Sequence, residues 1–278
     1  MLSSQPDYGV FRRRAKGIFM AIPKDAALPQ GVELKKLANG QFDLSQTLVD
    51  LLVDARRAYD WPSGTGSVES QQAILDLEED VARLMNQLNA DDAHVIVQWV
   101  SDWAGNNTLS RKAIEGATAD VKARMLHSLK LLNSPGEIGN ALASLCHLPG
   151  VGLVVASKIY RFCYPEAGAA VDRHASYFFN SLDIVDAAGN RAKALHFRRE
   201  WSTGRRTTSR LAIYNLASFT HNLHEFVSVY LPWLASIAAT LNVLPAPYTC
   251  AATGELKAWR PSDVEMAAYY WWACNGAR

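Results

Sequence analysis

The chain has 278 residues, 49% of them hydrophobic and 20% charged, which is enough apolar mass for one large or two small cores. Lysine and arginine total 28 against 27 acids, a net charge of +1 that excludes a binder held to a polyanion by overall charge. Neutral donors or local basic clusters would have to do that work. The four cysteines, Cys146, Cys163, Cys250 and Cys274, fit no zinc or iron–sulfur spacing and read as thiols of a reducing compartment. No apolar run approaches bilayer-spanning length. The basic and briefly apolar stretch 11–22 stops at Pro23-Lys24 without a cleavage site, so the expectation is a cytoplasmic protein without a membrane partner.

Hydrophobic spacing predicts a mainly α fold. Residues 1–39 form an expected N-terminal arm, in which Val10, Phe11, Ile18, Phe19, Met20 and Ile22 suit short strands. Residues 40–278 form the expected helical domain. Within it, Leu44, Leu48, Leu51, Leu52 and Ala55 recur at helical spacing and predict a helix over 42–59. A loop follows over 60–66. Further helices are predicted over 68–88, 93–104, 118–132 and 137–147. Another starts at Leu153 and a third covers 174–182. Residues 183–190 read as a loop or turn, 191–201 as helical, and 202–204 as a breaker. A helix from about Thr207 to Tyr230 is followed, after Pro232, by an apolar stretch over 234–241. Residues 245–256 read as a loop or small hairpin, and Pro261-Ser262 start a final helix over 263–274.

The chemistry concentrates at Leu148-Pro149-Gly150-Val151-Gly152. Pro149 and Gly150 end one helix, and Gly152 opens the next. The glycines present bare N–H groups, and a helix start carries unpaired amides with partial positive charge, a natural seat for an anion. Two helices joined this way form a helix-hairpin-helix at about 137–162, suited to gripping a DNA phosphate without reading sequence. Taken alone, Gly-x-Gly more often marks a packed helix–turn–helix corner than a ligand site. Twenty residues after Gly152 comes Asp172, in Val171-Asp172-Arg173-His174. Taken alone, Asp172 reads as a helix N-cap and His174 as an ordinary helix-start histidine.

The two halves together, Leu148-Pro149-Gly150-Val151-Gly152 and Val171-Asp172-Arg173-His174, resemble the helix-hairpin-helix DNA glycosylases, a superfamily that includes endonuclease III, adenine glycosylases and 8-oxoguanine DNA glycosylase. The similar segment, 145–179, is about an eighth of the chain. The resemblance implies bacterial 8-oxoguanine-glycosylase-like architecture and cleavage of the N-glycosidic bond of a damaged or modified base flipped from double-stranded DNA. It implies Asp172 as the catalytic carboxylate, stabilising the positive charge that builds on the sugar or activating water. It assigns Gly150, Val151, Gly152 and His174 to DNA phosphate. It implies no cofactor, leaves room for a monovalent cation at the hairpin, and matches no iron–sulfur cluster loop.

One departure changes the expected chemistry. Bifunctional members carry a lysine two residues after the second hairpin glycine, where this chain has Val154. The expectation is a monofunctional enzyme that uses water. Lys158 lies one turn further on the same face and is assigned to phosphate, with replacement of the missing lysine as its other reading. Arg205 and Arg206 head the densest basic patch of the C-terminal half and are likewise assigned to phosphate, or else to a solvated loop. Tyr269-Tyr270-Trp271-Trp272 suits core packing, or stacking of an extruded base. Two rival classes remain at this level: a catalytically inactive DNA-binding protein on the same scaffold that senses damaged or foreign DNA, and a helical interaction module in which the hairpin only packs.

Overall fold

The computed structural model describes residues 27–37, 42–105, 108–148, 150–186, 188–193, 195–201, 209–211 and 216–275. The fold is mainly helical. The helices are α1 (Gln46–Arg57), α2 (Ser67–Met85), α3 (Ala90–Trp103), α4 (Thr108–Glu115), α5 (Ala119–Leu131), α6 (Ile138–Cys146), α7 (Leu153–Cys163), α8 (Arg173–Ser181), α9 (Leu216–Glu225), α10 (Leu231–Val243) and α11 (Pro261–Asn275). Several start where short polar side chains can accept an orphan amide. Ser45 caps α1 through the Leu48 amide, Thr118 caps α5 through Val121, and Asn89 with Asp92 forms a reciprocal capping box on α3. Each helix buries its apolar stripe against the others, α11 lying between α1, α8 and α10.

Short strands depart from the sequence expectation. The predicted helix over 42–59 begins with a strand, β2 (Phe42–Leu44), before Ser45 starts α1. β1 (Glu33–Lys36) lies in the expected arm and pairs antiparallel with β2 and parallel with β3 (Asp183–Val185). Most of that arm, 1–26, lies outside the described residues. β3 pairs with β4 (Arg191–Lys193), giving the order β2-β1-β3-β4. Residues 183–190, expected to be a loop or turn, thus contain a strand ahead of the tight turn. Asp186 builds the turn by accepting the amides of Ala188 and Asn190 at 2.9 and 2.8 Å.

Residues 191–201, expected to be helical, contain β4 and β5 (Arg199–Trp201) instead. Side-chain amides capture this backbone. Asn180 bonds both the N–H and the carbonyl of Phe197, and Asn222 does the same for Arg198. β6 (Ser209–Leu211) pairs with β5, so the next helix starts at Leu216 rather than near 207. The hairpin expected over 245–256 is β7 (Tyr248–Thr249) with β8 (Leu256–Lys257).

Pro232 does not interrupt its helix. A π-helical turn, Phe226–Tyr230, joins α9 to α10, and the Leu231 amide donates to the Phe226 carbonyl five residues back. A proline inside an α-helix lacks an N–H and clashes with the carbonyl four residues earlier; the wider π turn covers the residues just before Pro232, where that clash would fall. The stretch Phe219–Val243 therefore becomes one helix long and apolar enough to cross a bilayer, where the sequence showed only interrupted runs. In this fold, Leu231, Leu234, Ile237 and Leu241 enter the core.

A chain of buried ions ties the helices together. Asp263 at the start of α11 is fully buried and accepts from Arg56 of α1 at 3.0 Å, from the Arg260 side chain at 3.1 Å and from the Tyr248 hydroxyl at 3.0 Å. Arg260 grips Glu78 of α2 with two bonds of 2.9 and 3.2 Å, and Arg161 of α7 reaches the same Glu78 at 3.0 Å. Burial alone would raise the Asp263 carboxyl, but Arg56 and Arg260 outweigh it and hold the group at about 2. Its contribution to stability is present above the ordinary carboxylate range and is lost as pH falls through about 2. Asp263→Asn leaves the buried Arg56 guanidinium without its carboxylate and takes one of two acidic partners from Arg260, which keeps Glu78. Urea unfolding at neutral pH is expected to show a loss of about 3–5 kcal/mol, and an unchanged midpoint would refute the network's role.

Candidate functional site

The turn between α6 and α7 is built from the residues expected at the hairpin. Leu148 is buried, and Gly150 is exposed with φ +77°, a conformation that side-chained residues rarely adopt. Val151 is buried and its amide donates to the Leu148 carbonyl at 3.1 Å, closing the turn. Gly152 is the N-cap of α7, and no side chain caps that helix. Among the described residues, no side chain accepts from the first-turn amides of α7, and the Val155 amide donates to the Gly152 carbonyl at 3.0 Å; such a start is where an anion can seat. Pro149, Arg205 and Arg206 lie outside the described residues.

The return of the chain to α7 fixes Asp172. A Cβ added to Gly168 would stand 2.8 Å from both the Arg161 Cα and the Tyr160 carbonyl oxygen, so only glycine allows this backbone to lie on α7. The Ala170 carbonyl then accepts from the Tyr230 hydroxyl at 2.9 Å. The Val171 amide donates to Ser157 Oγ of α7 at 3.0 Å, and the Val171 side chain is buried. Asp172 follows as the N-cap of α8, its Oδ1 accepting from the Ala175 amide at 2.9 Å. Among the described residues, Oδ2 takes no hydrogen bond. The cap employs one oxygen and leaves the other for chemistry.

Two helices, α7 and α11, bring further ionisable groups near Asp172. Lys158, expected at a phosphate, is only 8% exposed; its amine lies 5.1 Å from the Trp103 ring centre and 5.7 Å from that of Trp61. Desolvation lowers the Lys158 amine, against the opposing pull of Asp172 and Glu265. Glu265 of α11 is 5% exposed. Burial, then the Asp172 charge, pushes its carboxyl up to about 8, although Arg161, Lys158 and Arg56 oppose the rise. Among the described residues, neither the Lys158 amine nor the Glu265 carboxyl makes a hydrogen bond or an ion pair.

Aromatic side chains wall this group. Tyr269 meets His174 edge-on at 5.2 Å and tilts against Trp61 at 6.3 Å and Tyr59 at 6.1 Å. Trp61 and Trp103 are edge-to-face at 6.5 Å. His174 bonds the Arg173 guanidinium at 3.2 Å. Of the four aromatics in 269–272, Tyr269 packs on His174, two residues from Asp172, whereas Trp271 packs on Phe178 and Trp272 stacks on Tyr177.

The sequence reading missed Glu265, Trp61 and Trp103. One signal was available for the first: Glu265 interrupts the buried run Val264, Met266, Ala267, Ala268, where a carboxylate is costly without a purpose. The four cysteines are free thiols, and the described residues contain no group of three or more His, Cys, Asp or Glu placed to hold a metal ion. No family model, curated protein or solved structure matches this chain.

Gly168→Ala tests the delivery of Asp172. Its Cβ must displace α7 backbone, so thermal or urea unfolding is expected to show a loss of about 1–3 kcal/mol. Wild-type stability in this variant would mean that the loop shifts freely.

Proposed function

We propose that this chain is a DNA glycosylase of the helix-hairpin-helix type, releasing a damaged or modified base flipped from double-stranded DNA. What carries the reading is the Asp172 carboxylate, anchored through one oxygen and open at the other, beside the Lys158 amine under the rings of Trp61 and Trp103. The uncapped start of α7 and the left-handed Gly150 suit a backbone phosphate, which would hold the strand without regard to sequence. The aromatic wall suits an unstacked base.

In the proposed reaction the bond between the base nitrogen and the sugar C1′ weakens, and positive charge develops on the sugar ring. Asp172 stabilises that charge and takes a proton from the attacking water. Lys158 sits within the wall rather than among the hairpin amides, so its proposed role moves from phosphate contact to the electrostatics of the site. Val154 holds the position of the family's amine, and base release without strand cleavage is the expected outcome.

The experiment pairs purified protein with duplexes carrying a panel of altered bases, then alkali to cut the abasic product. Asp172→Asn is expected to lower single-turnover base release at least about 10²-fold while binding to a duplex with a tetrahydrofuran abasic analogue stays within a few-fold. No base release by the wild type from any duplex would overturn the enzymatic reading. Strand breaks without alkali, trapped by borohydride and lost in Lys158→Met, would reassign the nucleophile to Lys158.

The hairpin has its own test. Gly150→Ala is strained at φ +77° and is expected to weaken binding to undamaged duplex at low salt several-fold, with a cost to stability of about 1 kcal/mol. Unchanged affinity would remove the hairpin from the interface.

A further inference from the structure

The α11 carboxylate that sequence reasoning passed over gives the site a second acid. Glu265 and Tyr269 are four residues apart on one helix, so they share a face. Tyr269 contacts His174 and Trp61, which places that face toward Asp172. Glu265 is 5% exposed and, among the described residues, has neither a hydrogen-bond partner nor an ion-pair partner. Its nearby Asp263, by contrast, is saturated by Arg56, Arg260 and Tyr248. A buried carboxyl left without partners carries a penalty that structure alone does not repay.

We propose that Glu265 is the general acid of this site, handing its proton to the base as it departs while Asp172 supports the sugar; the inference rests on the glycosylase reading above. The bond between C1′ and the base nitrogen breaks, and its electron pair leaves with the base. The Glu265 proton goes onto the base and leaves Glu265 as carboxylate. A water oxygen bonds to C1′, and its proton goes to Asp172. Solvent returns the proton from Asp172 to Glu265, so the net change is one water consumed and one neutral base released.

The electrostatics fit this division. Two carboxyls in one buried site cannot both be charged cheaply, and the more desolvated one keeps its proton. The charged groups facing Glu265 are Asp172 from α8, Lys158 and Arg161 from α7, and Arg56 from α1. Asp172 favours the protonated form and the three cations oppose it, with burial deciding the balance and leaving the carboxyl at about 8. The acid form predominates below that pH and is lost above it.

The test is a pH profile of single-turnover base release, on the duplex that the wild type processes fastest. The wild type is expected to lose activity above about pH 8. Glu265→Gln is expected to lower the rate about 10²–10³-fold and to abolish that alkaline fall, with affinity for the tetrahydrofuran duplex unchanged. Glu265→Asp, which keeps a proton on a shorter arm, is expected to restore part of the rate and the alkaline fall. Because Gln removes a carboxyl held against Asp172, its thermal midpoint above pH 8 is expected to equal or exceed that of the wild type. An active wild type with Glu265→Gln equal to it in rate and profile would overturn this inference and leave the glycosylase reading standing. So would an alkaline fall that persists in Glu265→Gln and vanishes in Lys158→Gln, which would give the proton to the lysine. A wild type that releases no base would instead overturn the reading beneath it.

Discussion

The architecture depends on one fully buried carboxylate. Asp263 is surrounded by Arg56, Arg260 and Tyr248, and Arg260 passes the connection through Glu78 to Arg161. Four helices, α1, α2, α7 and α11, are thereby held in one register. Apolar packing alone would tolerate small slips among them, because methyl groups are interchangeable at little cost. Buried ion pairs do not tolerate slips, since a separated pair leaves unsolvated charge. The network therefore contributes more to the uniqueness of the arrangement than to its net stability.

That register determines the candidate site. Arg161 is locked to Glu78, and Lys158 lies one turn earlier on the same α7. Glu265 lies two residues beyond Asp263 on α11. Fixing Asp263 and Arg161 thus fixes the heights at which Glu265 and Lys158 face each other. Gly168, Ser157 and Tyr230 then bring in Asp172 from the side, each through a contact to backbone. Tyr230 belongs to the π turn just before Pro232, so an irregularity in one helix carries the hydroxyl that holds the loop before another.

Much of the fold was legible because its signals are local. The Gly150 turn after α6, the Gly152 start of α7, the Asp172 cap and the Pro261-Ser262 start are read from neighbours in sequence, and the structure has each in place. The failures share a different cause. Residues 191–201 have helical composition, yet Asn180 and Asn222, distant in sequence, take their backbone groups. β1 and β3 are joined across about 150 residues, which no local pattern announces. The expected helix ended at Tyr230, with only an apolar stretch after Pro232, because the π turn that carries the helix on is invisible to a rule about single residues.

The candidate site divides along the same line. By itself the sequence determined a glycine turn, a helix start and an acid capping the next helix, since these depend on backbone preferences of adjacent residues. Tertiary structure decided which groups share their surroundings. It buried Lys158 under Trp61 and Trp103, took Glu265 out of water, and turned one of four consecutive aromatics onto His174. The reason is physical: desolvation and charge coupling depend on what lies within a few ångströms in space. Positions 61, 103, 158, 172 and 265 become neighbours only after the chain has folded.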